Sequence, residues 1–343
     1  MNISINELLN TIRITEENSY TQDTVIMSID STPIATLGNI SASVGKAKSG
    51  KTFNVSSLVS AALANSTILK FSANMPSEKR KILYVDTEQS RYHCCKVLHR
   101  IANLSNVNNL YLKENLYLLS VREYSSDKRV YIIDKVLKEI NNIGLLIIDG
   151  CRDLLRDINC PVESSNLINQ LMEWSSKYNL HIHVVLHQNK NDENTRGHLG
   201  TELNNKAETI LHVSKIHKDS IQCLVRPLFT RDIEFTPFTF GINELGIPIL
   251  ADSNKVQIIK KREFKLEEIT EEQHQQALSA AFRQETIFGY ENLINKIKEG
   301  YATIGFEFGN NKIKLLNKFL KDNNVITREG KGYIFNKGFN VIK

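Results

Sequence analysis

The 343-residue sequence lacks any apolar run long enough to cross a membrane. Its longest runs, such as residues 145–148, are far shorter than the roughly 18 residues that a spanning helix needs. The start of the chain also lacks the basic stretch and following apolar stretch that mark a signal peptide. The sequence therefore favours a cytoplasmic protein with no membrane partner, and it excludes secreted and membrane-spanning classes.

Cysteine is scarce, and the five cysteines include no CxxC pair. An odd number of cysteines does not form a closed disulfide framework, and zinc sites need ligand pairs at short spacing. The sequence therefore predicts reduced thiols and excludes disulfide-rich and zinc-finger classes. The residues concerned are Cys94, Cys95, Cys151, Cys160 and Cys223.

Charge of one sign is also limited, because the net charge is only +5. Residues 301–343 hold eight Lys or Arg and three Asp or Glu, which accounts for the whole excess. A basic C-terminal part on a balanced remainder indicates a phosphate-rich partner. A solvated lysine surface has the same composition, so charge alone leaves both interpretations open.

The length and the hydrophobic pattern predict a large α/β core with a small appended domain. A polar N-terminal segment (1–38) precedes a region of alternating strands and helices (39–250). Predicted strands lie at 40–44, 81–85, 116–121, 144–148, 181–186 and 209–213. Predicted helices lie at 51–64, 91–101, 128–141 and 164–177. Such alternation is typical of a mostly parallel sheet.

After residue 213 the pattern changes to short strands at 221–226, 232–235 and 238–242, which predict an antiparallel extension of the sheet edge. Residues 251–285 resemble a linker or docking helix. A basic α+β domain (286–343) follows, with helices at 288–298 and 311–322 and a hairpin at 327–335. This order resembles a winged helix, and a small dimerisation module is the alternative.

The strongest motif is a match to G-x-x-x-x-G-K-[ST], the P-loop or Walker A pattern. Its glycines allow successive N–H groups to face one point, and the helix that follows adds its positive end. In this pattern Lys51 contacts the β- and γ-phosphates and the Thr52 hydroxyl is a Mg²⁺ ligand. The matching residues are Gly45, Lys46, Ala47, Lys48, Ser49, Gly50, Lys51 and Thr52.

Two carboxylates follow apolar runs that read as buried strands. Asp149 follows residues 145–148 and has the Walker B form, which holds the metal. Gly150, rather than a glutamate, comes next. Glu88 instead follows the predicted strand at 81–85, with Asp86 two residues before it.

With these motifs, residues 38–250 resemble the RecA-like ATPases, and they are similar to hexameric plasmid replicative helicases and other ATPases of bacterial mobile elements. The resemblance implies that Glu88 activates water, with Asp86 as the alternative base or as a residue that holds Glu88. It also implies a γ-phosphate sensor at His187 or Gln188, of which Gln188 is favoured. Only one of the two can face the nucleotide, because side chains alternate along a strand.

The resemblance further assigns the polar segment 189–206 to DNA contact, through Lys190, Arg196 and Lys206. It assigns Arg226 or Arg231 to a neighbouring subunit's nucleotide, since arginine can donate to two phosphate oxygens at once. In the C-terminal domain the predicted DNA contacts are Lys312, Lys314, Arg328 and Lys331.

The function implied is a DNA-dependent, Mg²⁺-dependent ATP hydrolase. It would be a ring-forming helicase-like motor in the replication or mobilisation of a plasmid or mobile element, and the resemblance implies a hexameric ring. Its partners would be single-stranded DNA, copies of itself and other replication or mobilisation proteins. The alternative is an ATP-switched DNA-binding adaptor with little turnover.

Overall fold

The chain folds into two compact units, Met1–Val256 and Gln257–Lys343. A computed structural model describes residues 4–15, 23–188, 197–217, 222–251, 269–283, 286–306 and 308–336. None of the helices within these ranges combines the length and the hydropathy that a membrane span needs. All five cysteines are free thiols.

In chain order, the elements of the larger unit are α1 (Ile5–Ile12), β1 (Val25–Ile29), β2 (Thr32–Thr36), β3 (Ile40–Gly45), α2 (Lys51–Ala64), β4 (Thr67–Ile68), β5 (Phe71–Ala73), β6 (Lys81–Asp86), α3 (Arg91–Ser105), α4 (Asn109–Asn115), β7 (Leu116–Ser120), α5 (Ser126–Glu139), β8 (Ile143–Asp149), α6 (Pro161–Lys177), β9 (His181–His187), α7 (Gly197–Lys206), β10 (Thr209–Lys215), β11 (Cys223–Thr230), β12 (Phe238–Ile242) and β13 (Pro248–Leu250).

The larger unit is built on a nine-stranded sheet in the order β13-β12-β11-β10-β3-β9-β8-β6-β7. The six strands from β10 to β7 are parallel, and β11, β12 and β13 add antiparallel pairs at one edge. Strands β3 and β8 are buried along their whole length, as expected where helices cover both faces of a parallel sheet. The predicted α/β core with an antiparallel edge extension is confirmed.

Two apolar clusters pack on the opposite faces of this sheet. The first includes Val55 and Leu58 of α2 together with Ile26 and Met27 of β1. The second includes Leu167 and Leu171 of α6 and Leu199 of α7. The N-terminal segment, set apart in the sequence because it is polar, thus contributes β1 and β2 to the first cluster. A small sheet in the order β2-β1-β5-β4 carries these strands.

Two sequence predictions for the larger unit are wrong. Residues 232–235 form no strand: the chain leaves the sheet after β11, and Phe235 is buried in the first apolar cluster without strand pairing. The segment 189–206 is not a loop throughout, because its second half is α7. Leu199 and Leu203 of that helix lie four residues apart and are both buried against α6, which is why a helix forms there.

The smaller unit contains α8 (Glu271–Phe282), β14 (Ile287–Phe288), α9 (Tyr290–Thr303), α10 (Asn310–Asp322), β15 (Ile326–Glu329) and β16 (Gly332–Phe335). Its sheet has the order β14-β16-β15 and is antiparallel. Helix α8 lies in the stretch expected to be a linker or docking helix, and its Leu278 and Phe282 belong to this unit's own core. The element order is compatible with a winged helix, which stays a prediction.

Candidate active site

The phosphate loop connects the C-terminal end of β3 with the first turn of α2. Gly50 caps α2 with φ +95°, a left-handed conformation that a side chain would strain. A Cβ at this position would also lie 2.5 Å from Cys223 Sγ. Lys46, Ala47 and Lys48 are exposed, whereas Ser49 is buried. The loop leads directly into the N-terminus of α2, whose first N–H groups suit an anion.

Lys51 is the buried cation of this loop. Its ammonium donates to the carbonyl oxygens of Gly45 and Lys46, both at 2.9 Å, and to His187 Nδ1 at 3.1 Å. Burial lowers the pKa of Lys51 to about 8, although the carboxylates of Asp149 and Glu88 oppose the shift. Lys51 is therefore mostly protonated at neutral pH and becomes neutral in mildly alkaline solution.

Thr52 and Asp149 bring two kinds of oxygen ligand together beside Lys51. The Thr52 hydroxyl donates to Asp149 Oδ2 at 3.1 Å, and the Tyr84 hydroxyl donates to the same oxygen at 2.8 Å. Burial raises the pKa of Asp149 to about 6, and the nearby Asp86 adds to the shift. Hydroxyl and carboxylate oxygens are the ligands that Mg²⁺ prefers, so these residues fit the expected metal.

Glu88 lies at the mouth of the same site, two residues after the end of β6. A hydrogen bond from His187 lowers the pKa of Glu88, with further stabilisation of its charge by His187 and Lys51. Asp86 is buried and holds the turn, since its Oδ1 accepts the N–H groups of Glu88 at 3.0 Å and Gln89 at 2.7 Å. Glu88 is thus the carboxylate that reaches the cavity, and Asp86 fixes its backbone.

Gly150 shows why no carboxylate directly follows Asp149. The residue has φ +102°, and a Cβ there would lie 2.1 Å from Thr87 Oγ1 and 2.8 Å from Glu88 Cγ. The segment after β6 fills the space that a side chain at position 150 would need. A carboxylate beside the metal position therefore has to come from the strand next to β8.

His187, not Gln188, faces the phosphate loop, contrary to the preference drawn from the sequence. Lys51 donates to His187 Nδ1, so a neutral ring carries its proton on Nε2, which lies 3.5 Å from Glu88 Oε1. Gln188 is buried on the other side of the strand, where its Oε1 accepts from His212 Nε2 at 3.1 Å. Strand alternation allows one of the two toward the site, and the register of β9 against β3 selects His187.

These groups surround a cavity of about 380 Å³. Phe53, Val185 and Ile242 supply apolar wall, and Lys48 and Lys215 supply cations in addition to Lys51. Lys215 and Tyr84 were missed in the sequence. A tyrosine inside an otherwise apolar strand is the signal that could have pointed to Tyr84, whereas Lys215 reaches the cavity only because β10 pairs with β3.

Neither predicted trans-acting arginine lines this cavity. Arg226 lies within β11 opposite His212, half-buried. Arg231 lies just past the far end of β11, and its guanidinium donates to the carbonyl oxygen of Lys206 at 2.8 Å. Among the described residues, the cations lining the cavity are Lys48, Lys51 and Lys215.

The predicted DNA contacts divide into three groups. Lys190 and Arg196 lie outside the described residues. Lys206 is exposed at the C-terminal end of α7. In the smaller unit, Lys312 and Lys314 are exposed on α10, and Arg328 and Lys331 are exposed on the β15–β16 hairpin.

One of three comparisons with known proteins, the match to a family model, spans this site. A family model described as an AAA domain matches residues 33–193, which include the phosphate loop, Glu88, Asp149 and His187. A crystal structure of the RadB recombinase is 18% identical, has a TM-score of 0.44, and covers 63% of this chain and 91% of that chain. No curated protein matches the chain. Residues 33–193 of the larger unit, which hold the phosphate loop and both strand-end carboxylates, are thus similar to an AAA domain.

Proposed function

We propose that the protein is a Mg²⁺- and DNA-dependent ATP hydrolase that works as a ring. The observation that carries the hydrolase part is the meeting of Lys51, Glu88, Asp149 and His187 around one cavity. A phosphate cradle alone would serve a binding protein. The half-exposed Glu88 carboxylate beside the cradle is ionised, so it can accept a proton from water.

In this proposal Glu88 takes the proton of a water that attacks the γ-phosphate in line. Lys51 leaves its carbonyl partners and neutralises charge on the phosphate oxygens. His187 contacts both residues, so it can report to the base whether Lys51 is engaged. Asp86 keeps the Glu88 backbone in place throughout.

Thr52 and Asp149 would hold the Mg²⁺, and Tyr84 would orient the Asp149 carboxylate. When bound, the ion offsets negative charge on the β- and γ-phosphates. Thr52 and Asp149 present their oxygen ligands from hydrogen-bonded positions, and Tyr84 holds the carboxylate that they share.

The deciding experiment for this proposal measures ATP turnover with and without single-stranded DNA, together with the mass in solution with and without nucleotide. Stimulation by DNA and a nucleotide-dependent increase in mass are the expected results. Negligible turnover with nucleotide-dependent DNA binding would instead support an ATP-switched adaptor, which the basic smaller unit would also suit.

The lowered pKa of Lys51 gives a pH-dependent prediction. Phosphate binding needs the charged ammonium, so ATP affinity should be level below pH 8 and should fall as the pH rises above about 8. Titration with a fluorescent ATP analogue from pH 6.5 to 9.5 checks this. Lys51→Ala should bind weakly at every pH without the alkaline fall, and a parallel fall in that variant would assign the effect to another group.

The basic face of the smaller unit gives a second prediction. We propose that this unit is a winged helix that binds DNA through phosphates. Removing four of its charges should lower the slope of log affinity against log salt by about 3, since each phosphate contact contributes about 0.7–0.9. The variant replaces with glutamine the residues Lys312, Lys314, Arg328 and Lys331.

A matched control removes the same charge from the larger unit. Replacing exposed lysines there with glutamine should leave the salt slope close to that of the parent. The control residues are Lys113, Lys128, Lys135 and Lys177. Equal slopes in both variants would show that the C-terminal charge serves solubility alone.

A further inference from the structure

A chain of buried polar side chains runs between β3 and β9 on the face covered by α2. His181 Nδ1 lies 2.9 Å from the Thr36 carbonyl oxygen, and His181 Nε2 lies 2.6 Å from Ser41 Oγ. Ser41 Oγ lies 2.7 Å from His183 Nδ1, and His183 Nε2 lies 2.9 Å from Ser43 Oγ. The Asn54 amide of α2 then donates to Ser43 Oγ at 3.4 Å. All of these side chains except that of Thr36 are at least 98% buried.

The direction of every bond in this chain follows from one end. The Thr36 carbonyl can only accept, so His181 Nδ1 carries a proton and His181 Nε2 must accept from the Ser41 hydroxyl. Ser41 Oγ then accepts from His183 Nδ1–H. His183 Nε2 in turn accepts from the Ser43 hydroxyl, and Ser43 Oγ accepts from the Asn54 amide. Burial lowers the pKa of both rings and so favours their neutral forms, which makes both histidines Nδ1–H tautomers in a single run of donors that point away from α2.

The two ends of the chain lie at different places in the larger unit. At one end, Glu208 accepts from the N–H and the hydroxyl of Thr36, both at 2.7 Å, two residues after α7. At the other end, Asn54 is in the first turn of α2, where its N–H donates to the Gly50 carbonyl at 3.0 Å. The backbone N–H of Glu208 donates to the carbonyl oxygen of Ile40, at the start of β3, at 2.9 Å. The phosphate loop lies five residues further along that strand, about 16 Å away.

The energetics make the chain act as a unit. Each member is shielded from water, so interrupting the run leaves a donor or an acceptor unpaired, at a cost of about 1–3 kcal/mol. Hydrogen bonds in series also strengthen one another in a low-dielectric interior. A substitution at either end therefore changes the strength of all hydrogen bonds in the series and not only of the bond that it removes.

We infer that this chain positions the first turn of α2, and with it the phosphate loop, and makes that position depend on Glu208. The inference rests on the proposed nucleotide-binding function. Ser41, Ser43, His181 and His183 act as positioning residues that touch no substrate. The connection between α7 and β10, where Glu208 lies, is thereby linked to the site that binds phosphate.

The tautomers can be tested directly with ¹⁵N-histidine NMR on the full chain. His181 and His183 should both be neutral Nδ1–H tautomers at pH 7.5, and His181→Phe and His183→Phe each should remove one of these signals. Burial lowers the pKa of His181 and lowers that of His183 to about 3, which favours the neutral form of both rings. An Nε2–H tautomer at either position would break the deduced direction and overturn the inference.

The positioning role is tested by Ser41→Ala, which interrupts the chain far from the nucleotide. We expect affinity for a fluorescent ADP analogue to fall about ten-fold, equivalent to one lost net hydrogen bond. The matched control is Ser60→Ala, because Ser60 is also fully buried and bonds the carbonyls of Ser56 and Ile101 outside the chain. Similar losses of thermal stability with unequal losses of affinity support positioning. If Ser41→Ala and Ser60→Ala bind the ADP analogue with equal affinity, the buried hydrogen bonds stabilise the fold but do not position the phosphate loop.

The link to Glu208 is tested by a double-mutant cycle. Glu208→Gln alone should weaken ADP binding about three-fold, because the amide is a poorer acceptor than the carboxylate. In Ser41→Ala the same substitution should have no further effect, since the run between Glu208 and α2 is already broken. Additive losses would contradict the link. The proposed function fails if the parent does not bind nucleotide, or if Lys51→Ala binds it as well as the parent does. Neither outcome would affect the assignment of the histidine tautomers.

Discussion

Glu88→Gln should reduce ATP turnover at least ~100-fold, the usual scale for loss of a general base. The amide keeps the size of the side chain and can still accept a hydrogen bond from His187, but it cannot take a proton from water. Nucleotide affinity near neutral pH should stay near that of the parent, because Glu88 makes no hydrogen bond to Lys51, whose ammonium donates to the carbonyl oxygens of Gly45 and Lys46. Steady-state turnover and equilibrium binding of an ATP analogue measure the two effects separately.

The control for this experiment is Asp86→Asn. The Asp86 carboxylate accepts two backbone N–H groups and the Gln89 amide, and an asparagine keeps one acceptor oxygen for the backbone. Rotation of the Gln89 amide can satisfy the new NH₂ group, so most of the turnover should survive. If Asp86→Asn abolishes turnover and Glu88→Gln retains it, the base has been assigned to the wrong carboxylate.

The sequence was informative wherever a residue's job depends on its own strand or loop. The phosphate loop needs Gly50 and Lys51 at fixed spacing, and Asp149 needs only to end an apolar strand, so both are visible in the sequence. The α/β alternation likewise follows from local periodicity. These features therefore could be predicted without knowing which strands are neighbours.

Features that depend on pairing between distant strands could not be predicted. The choice between His187 and Gln188 depends on the register of β9 against β3, and a shift by one residue would reverse it. The contact of Tyr84 with Asp149 needs β6 beside β8, and the serine–histidine run needs β3 beside β9. The segment at 232–235 was misjudged because its apolar residue, Phe235, packs into the core without strand pairing.

ATP turnover should rise more steeply than linearly with protein concentration until a ring is complete. In the described part of the chain, no arginine lines the cavity, and Arg231 lies about 25 Å away along β11 from the end that borders the phosphate loop. An arginine that stabilises phosphoryl transfer contributes about 10³-fold or more. We propose that Arg226 or Arg231 of a neighbouring subunit supplies it, so an isolated subunit should be nearly inactive.

Mixing variants tests this proposal without relying on concentration alone. Lys51→Ala lacks a working phosphate loop, and Arg226→Ala/Arg231→Ala lacks the donated arginine, so each should be inactive by itself. In mixed rings an intact loop can meet an intact arginine across an interface, which should restore up to about a quarter of parental activity if subunits assort randomly. Lys51→Ala mixed with Glu88→Gln is the control. Each substitution inactivates the cavity of the subunit that carries it, so every cavity in a mixed ring is defective and no activity should return. Rescue in neither mixture, with linear concentration dependence for the parent, would mean that the active unit is a monomer. That result would contradict the proposed ring motor and favour an ATP-switched DNA-binding adaptor.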